Sequence, residues 1–187
     1  MSLERDTNPW GTDPDDAINA ELTAIESSLD RLLAREPAYW RTGQKKDSLE
    51  RLEKLQARMA ALKLRVLATA GDIAEDTGAK DASGWMRAEL LVDKAVARSQ
   101  IKLAAGVAKY DLVAAGLAEG VVSQDKARVI TKALDKIETN PVASTEDLIL
   151  AEKLLVDYAT RLTANELRIV GKRILAEIGR ASCRERV

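Results

Sequence analysis

Histidine and phenylalanine are missing from this chain altogether, and its one cysteine, Cys183, stands near the C-terminus. Without an imidazole and with one thiol, a single chain can build neither a Cys/His zinc site nor a disulfide. His-based acid–base catalysis is excluded with it. Carboxylates are plentiful, but no spacing marks a catalytic pair, so catalytic residues, metal ligands and cofactor are all read as none. Aromatic residues make up only 3% of the chain and β-formers are sparse. No apolar run approaches the roughly 20 residues of a membrane span. The acidic start is unlike a signal peptide. These absences predict a cytoplasmic protein with no membrane partner.

What the chain does have is Ala, Leu, Glu, Lys and Arg, in a mixture 46% hydrophobic and 32% charged over 187 residues. That composition predicts helix almost throughout. The formal net charge of -1 conceals an uneven distribution. Residues 1–30 hold eight acidic side chains against Arg5 alone, whereas 78–137 hold ten basic and seven acidic ones. A mildly basic middle therefore follows an acidic start.

Asn8-Pro9, Gly11 and Asp13-Pro14 break any regular structure, so residues 1–14 are expected to form a disordered acidic arm. A first helix is predicted over 15–35, with Ile18, Leu22, Ile25, Leu29 and Leu32 drawing one apolar stripe. Residues 36–46 contain Pro37, Gly43 and the cluster Arg41, Lys45 and Lys46, and read as a linker in which Tyr39 and Trp40 either anchor the segment, the favoured reading, or contact a partner. One long helix is predicted over 47–75. Its residues Leu52, Leu55, Met59, Leu62, Val66, Thr69 and Ile73 form a heptad seam, and Ala60, Leu64 and Leu67 widen the apolar surface.

Beyond Gly78 the pieces shorten and their caps are plain. Asp81 to Ser83 opens a helix to about Leu90, Asp93 caps one through Val107, and Asp111 caps one ending at Gly120. Ser123 caps a helix to Ile137, and Asn140-Pro141 stops that helix. Ser144-x-x-Asp147 opens a helix to Leu162, and Thr163-x-x-Glu166 is a capping box for a last helix. Nothing reads as a strand. The expected fold is all-α, an elongated multi-helix bundle of about eight helices with long N-terminal amphipathic helices.

The last ten residues, IGRASCRERV, resemble one reading frame of a common sequencing adapter. On that reading residues 178–187 are an artefact, Cys183 is not native, and 15–177 is a fragment of a domain that continues past Glu177.

The segments LERLEKLQARMAALKLRVLATAGD, GAKDASGWMRAELLVDKAVARSQIKLA, LVAAGLAEGVVSQDKARVITKAL and AEKLLVDYATRLTANELRIVGKRI occur in that order. Their order and spacing resemble the actinobacterial thirteen-E-twelve repeat family, also known as domain of unknown function two-two-two. Members usually continue into an HNH endonuclease domain. The resemblance implies a DNA-associated module, but without His no part of that nuclease carries over to this chain.

A further resemblance covers 82–137, whose two short helices and following DLVAAGLAEGVVSQDKAR look like the helix-turn-helix of ParB-type partition proteins. A motif of that kind presents its second helix to the major groove of duplex DNA. Here that helix offers Lys94, Arg98 and Lys102 at four-residue spacing for phosphates, with Ser99 and Gln100 able to bond bases. Val92, Val96, Leu103 and Val107 form its apolar face. A second stripe, Arg128, Lys132 and Lys136, has the same spacing and could extend a phosphate-contacting surface, but with Asp125, Asp135 and Glu138 nearby it reads rather as an ordinary solvated face. Trp85 and Met86 are expected in the core, and Gly116 and Gly120 in close packing and a turn. Two functions follow: a DNA-binding module of an HNH-type protein, or a non-enzymatic dimerisation module using the heptad faces of the first two helices.

Overall fold

The computed structural model describes the backbone of residues 14–184 and the side chains of 16–180. The expected arm at 1–14 lies outside it except for Pro14, as do residues 185–187 of the tail. Among the described residues there is no strand. There are nine α-helices and one short 3-10 turn, where about eight helices were expected. Two compact units divide after Ser48.

The first unit holds α1 (Pro14–Leu33), the 3-10 turn (Pro37–Tyr39) and the start of α2 (Thr42–Thr69). Its apolar stripe stays in solvent, with Ile18, Leu22, Ile25, Leu29 and Leu32 all at least 42% exposed. The expected linker is shorter than predicted. Gln44 folds back to accept the Arg41 N–H at 2.9 Å, which closes the first turn of α2 five residues early. Tyr39 does not anchor this segment, being 88% exposed, while Trp40 is half-buried.

The second unit, 49–187, carries the rest of α2 and seven further helices. They are α3 (Gly71–Thr77), α4 (Ala82–Glu89), α5 (Lys94–Lys109), α6 (Asp111–Glu119), α7 (Gln124–Glu138), α8 (Thr145–Ala159) and α9 (Ala164–Arg184). The predicted helix over 47–75 is broken at Ala70. There the Thr69 hydroxyl bonds back to the Val66 carbonyl, and the Ala70 N–H reaches Leu67 instead of Val66, tightening the last turn of α2. Only one side of α2 packs: Ala57, Ala61 and Leu64 are buried, whereas Leu52, Leu55, Met59, Leu62 and Val66 on the opposite side remain exposed.

The core sits among α5 to α9. Val113, Leu117, Val122, Ala127, Ile130, Leu134, Ile137, Leu155 and Leu167 are fully buried in one cluster. α7 is its central strut, with Ala127, Ile130, Leu134 and Ile137 stepping along one face by three and four residues. Burying a Leu or Ile side chain is worth about 1.5–3 kcal/mol, so Ile130, Leu134 and Ile137 contribute substantially to the stability of the unit. α7 makes its broadest contacts with α9 and α8.

Several boundaries follow the predicted caps. Asp81 accepts from Gly84 N–H, Ser123 from Lys126 N–H, and both Ser144/Asp147 and Thr163/Glu166 close reciprocal boxes. Two predicted caps do not form. Asp93 precedes α5 but its side chain caps nothing, and Asp111 is already the first residue of α6. The amides of Leu112 and Val113 are instead taken by Glu152 of α8, at 2.8 and 3.2 Å. α8 also ends at Ala159 rather than Leu162, because Thr160 and Arg161 close a turn on Asp157 and Tyr158. Gly120 adopts φ 79° at the end of α6, and a Cβ there would lie 2.9 Å from the Lys54 carbonyl of α2, so the turn and the packing both require glycine. Met86 is fully buried as expected, and Trp85 half-buried.

Candidate nucleic-acid interface

α4 and α5 are joined by Leu90 to Asp93, a turn made without glycine: Leu91 takes φ 52° and stands 86% exposed. α5 is seated through Ala97, Leu103, Ala104 and Val107, all nearly inaccessible. Val96, expected on this apolar face, is 45% exposed: it lies in the first turn of α5, on the side of Leu103 and Val107 but left partly uncovered. Lys94, Arg98 and Lys102 lie on the far side and are exposed, so the basic stripe of the sequence is a real surface feature.

Its two polar companions do not share that surface. Ser99 and Gln100 are half-buried on the inward side of α5. The Ser99 hydroxyl accepts from the Arg128 guanidinium of α7, and the Gln100 Oε1 is buried without a hydrogen-bond partner. The stripe is therefore equipped for phosphates, while the groups expected to read bases are aimed into the fold. Carboxylates also stand near it. Asp93 precedes Lys94, and Asp81 lies close enough for Arg98 to act on its charge. The Asp81 carboxyl is held below its ordinary range chiefly by the Ser83 hydroxyl, then by the Gly84 amide, with Arg98 a smaller cause.

The second stripe is placed quite differently. Arg128, Lys132 and Lys136 of α7 form one wall of a groove whose other wall carries Arg168 and Lys172 of α9. Val129, Ala133, Gly171 and Leu175 complete the lining, the volume is about 240 Å³, and no carboxylate lines it. The helices approach closely because α9 has glycine at its crossing: a Cβ on Gly171 would lie 2.9 Å from the Cβ of Ala133. Reading one helix at a time misses Arg168 and Lys172. The available signal was their own four-residue spacing, on the helix that the Thr163 capping box opens.

Asp125 stays exposed on α7 one turn before Arg128, and the other acidic residues of the two walls are engaged elsewhere. Asp135 accepts from the Tyr110 hydroxyl at 3.1 Å, and Glu138 pairs with Lys109. Glu166 closes the cap of α9, and Glu177 pairs with Arg180. Tyr110 is buried, and its phenol is pushed well above its ordinary range by that burial and then by the neighbouring Asp135. It is a structural tie between α5 and α7, not an acid or a base near neutral pH.

A family model described as Domain of unknown function (DUF222) matches residues 46–186, which coincides closely with the second unit. The chain belongs to this family. No curated protein and no solved structure matches it. Membership in DUF222 confirms the family expected from the four ordered segments. It brings no activity with it. Among the described residues, no helix is long and apolar enough to cross a membrane.

Proposed function

We propose that this DUF222 chain is a cytoplasmic DNA-binding helical module that serves an HNH-type nuclease domain, an association that rests on the family resemblance. The observation that carries the DNA reading is the α5 stripe: Lys94, Arg98 and Lys102 project from one exposed face of a helix fixed by its opposite face. Three cations on a rigid rod suit the evenly spaced phosphates of a duplex, and the preceding α4 and turn supply the helix-turn-helix setting. Binding of this kind weakens steeply with salt, because each neutralised phosphate releases counterions. Lys94→Ala with Arg98→Ala is expected to lower the log–log salt slope of duplex binding by about two. Unchanged affinity and slope in fluorescence anisotropy reject α5 as the contact helix.

A second reading, an interaction or dimerisation module, is favoured by the α2 seam that the second unit leaves uncovered. Arg51, Arg58 and Arg65 flank that seam on one side and Lys63 on the other. Two copies of α2 would face each other with like charge, so self-association should strengthen as salt rises, opposite to DNA binding. Sedimentation across a salt series separates the two readings, and Leu55→Glu with Leu62→Glu should dissolve any dimer.

A further inference from the structure

The groove between α7 and α9 is unlike the rest of the charged surface. Three exposed cations elsewhere are paired with carboxylates, Lys109 with Glu138, Arg161 with Asp157 and Arg180 with Glu177. In the groove Arg128, Lys132, Lys136, Arg168 and Lys172 converge from two helices, and none forms an ion pair among the described residues. The two arginines are held by neutral groups, Arg128 on the Ser99 hydroxyl and Arg168 on the Asn165 side-chain oxygen at 2.7 Å. Such bonds orient a guanidinium without cancelling its charge.

The floor makes this arrangement stronger. Val129, Ala133 and Leu175 are partly buried hydrophobics backed by the main core, so the cations face one another across apolar material. Field lines in a cleft with low-dielectric walls are concentrated, and an anion inside feels them more than on an open helix face. A space of about 240 Å³ far exceeds the roughly 15 Å³ that admits one water. The walls cannot close on each other, since Gly171 and Ala133 already meet at the crossing.

We propose that the α7/α9 groove is a binding site for consecutive phosphate groups, with Lys132, Lys136 and Lys172 as point-charge contacts and Arg128 and Arg168 as oriented forks. The same chemistry is offered by the phosphodiester backbone of a nucleic acid and by a free condensed phosphate such as pyrophosphate. The nucleic-acid source rests on the DNA reading of α5, and the free-phosphate source is independent of it.

The test uses the full chain and the variant Lys132→Gln/Lys136→Gln/Lys172→Gln, whose three sites are exposed and outside the core. Duplex binding by anisotropy across a salt series and pyrophosphate binding by calorimetry are both read. With the backbone as ligand, the variant binds duplex at least tenfold more weakly at low salt, and its log–log slope falls by two to three, about one per phosphate lost. With free phosphate as ligand, the parent binds pyrophosphate and the variant does not. Lys132→Arg/Lys136→Arg/Lys172→Arg should retain binding in either case, since it keeps the charge. Unchanged duplex affinity and slope together with unchanged or absent pyrophosphate heat overturns the proposal. Lys94→Gln/Arg98→Gln run beside it tests α5 separately, so a failure there leaves the groove result standing.

Discussion

Two basic stripes of identical spacing run along α5 and α7, yet they present themselves in opposite ways. Lys94, Arg98 and Lys102 stand on an open helix face with Asp81 and Asp93 nearby, so their field is partly offset and spreads into solvent. Arg128, Lys132 and Lys136 follow Asp125 on α7 but stand on a wall, faced by two more cations and backed by apolar side chains. Spacing along a helix therefore says little about how a charge is used. The neighbouring helix decides whether a stripe is a solvated surface or half of a site.

The comparison breaks most easily in the platform beneath the second stripe. Leu134 is fully buried on the underside of α7, whereas Val96 is 45% exposed beside the α5 stripe. Leu134→Ala should cost about 2–5 kcal/mol in urea unfolding. Val96→Ala should stay within about 0.5 kcal/mol, and similar losses at both sites would contradict the buried strut.

A sharper probe uses two glycines of one helix. Gly171→Ala drives a methyl onto Ala133, an overpacking cost of about 1–3 kcal/mol set against the roughly 1 kcal/mol gained by replacing glycine in a helix, for an expected net loss of up to about 2 kcal/mol. Gly179, with nothing within 4 Å of its added Cβ, should gain up to about 1 kcal/mol on mutation to alanine. Opposite signs in thermal unfolding confirm that the groove is set by the Gly171 crossing. Equal signs refute it.

The smallest effect is a pH dependence that separates the walls. Glu166 at the start of α9 is held below its ordinary range by the amide and hydroxyl of Thr163. A carboxyl lowered on folding contributes stability above its unfolded pKa and loses it as pH falls through the folded value. α7 is capped by the Ser123 hydroxyl, which does not titrate. Glu166→Gln should therefore flatten the fall in urea midpoint between about pH 5 and 3, while Ser123→Ala lowers stability evenly at all pH values.

Much of the helical order was legible because it is local. Asp81, Ser123, Ser144 and Thr163 mark helix starts with bonds spanning three residues, and Gly120 marks an end. The α7 core face could be read from Ala127, Ile130, Leu134 and Ile137 alone. The seam on α2 was equally visible, but periodicity cannot say which of two apolar faces meets the core, and Ala57, Ala61 and Leu64 do. The groove lay beyond reach for a similar reason. Arg128 and Arg168 are brought together only by the packing of α7 on α9, which no local pattern records.

The cap that α6 lacks in its own sequence carries a last consequence. Its leading amides rest on Glu152, placed 40 residues after Leu112, and Lys126 of α7 in turn donates to the Ala159 carbonyl at the end of α8, at 2.7 Å. During synthesis α6 leaves the ribosome well before the residue that completes it, and it must wait, frayed at its start, until α8 arrives. Closing that loop has an entropic cost that local helices do not meet, so α6 to α8 should lock in one cooperative step. The Leu112 and Val113 amides would then exchange with solvent only when that whole trio opens.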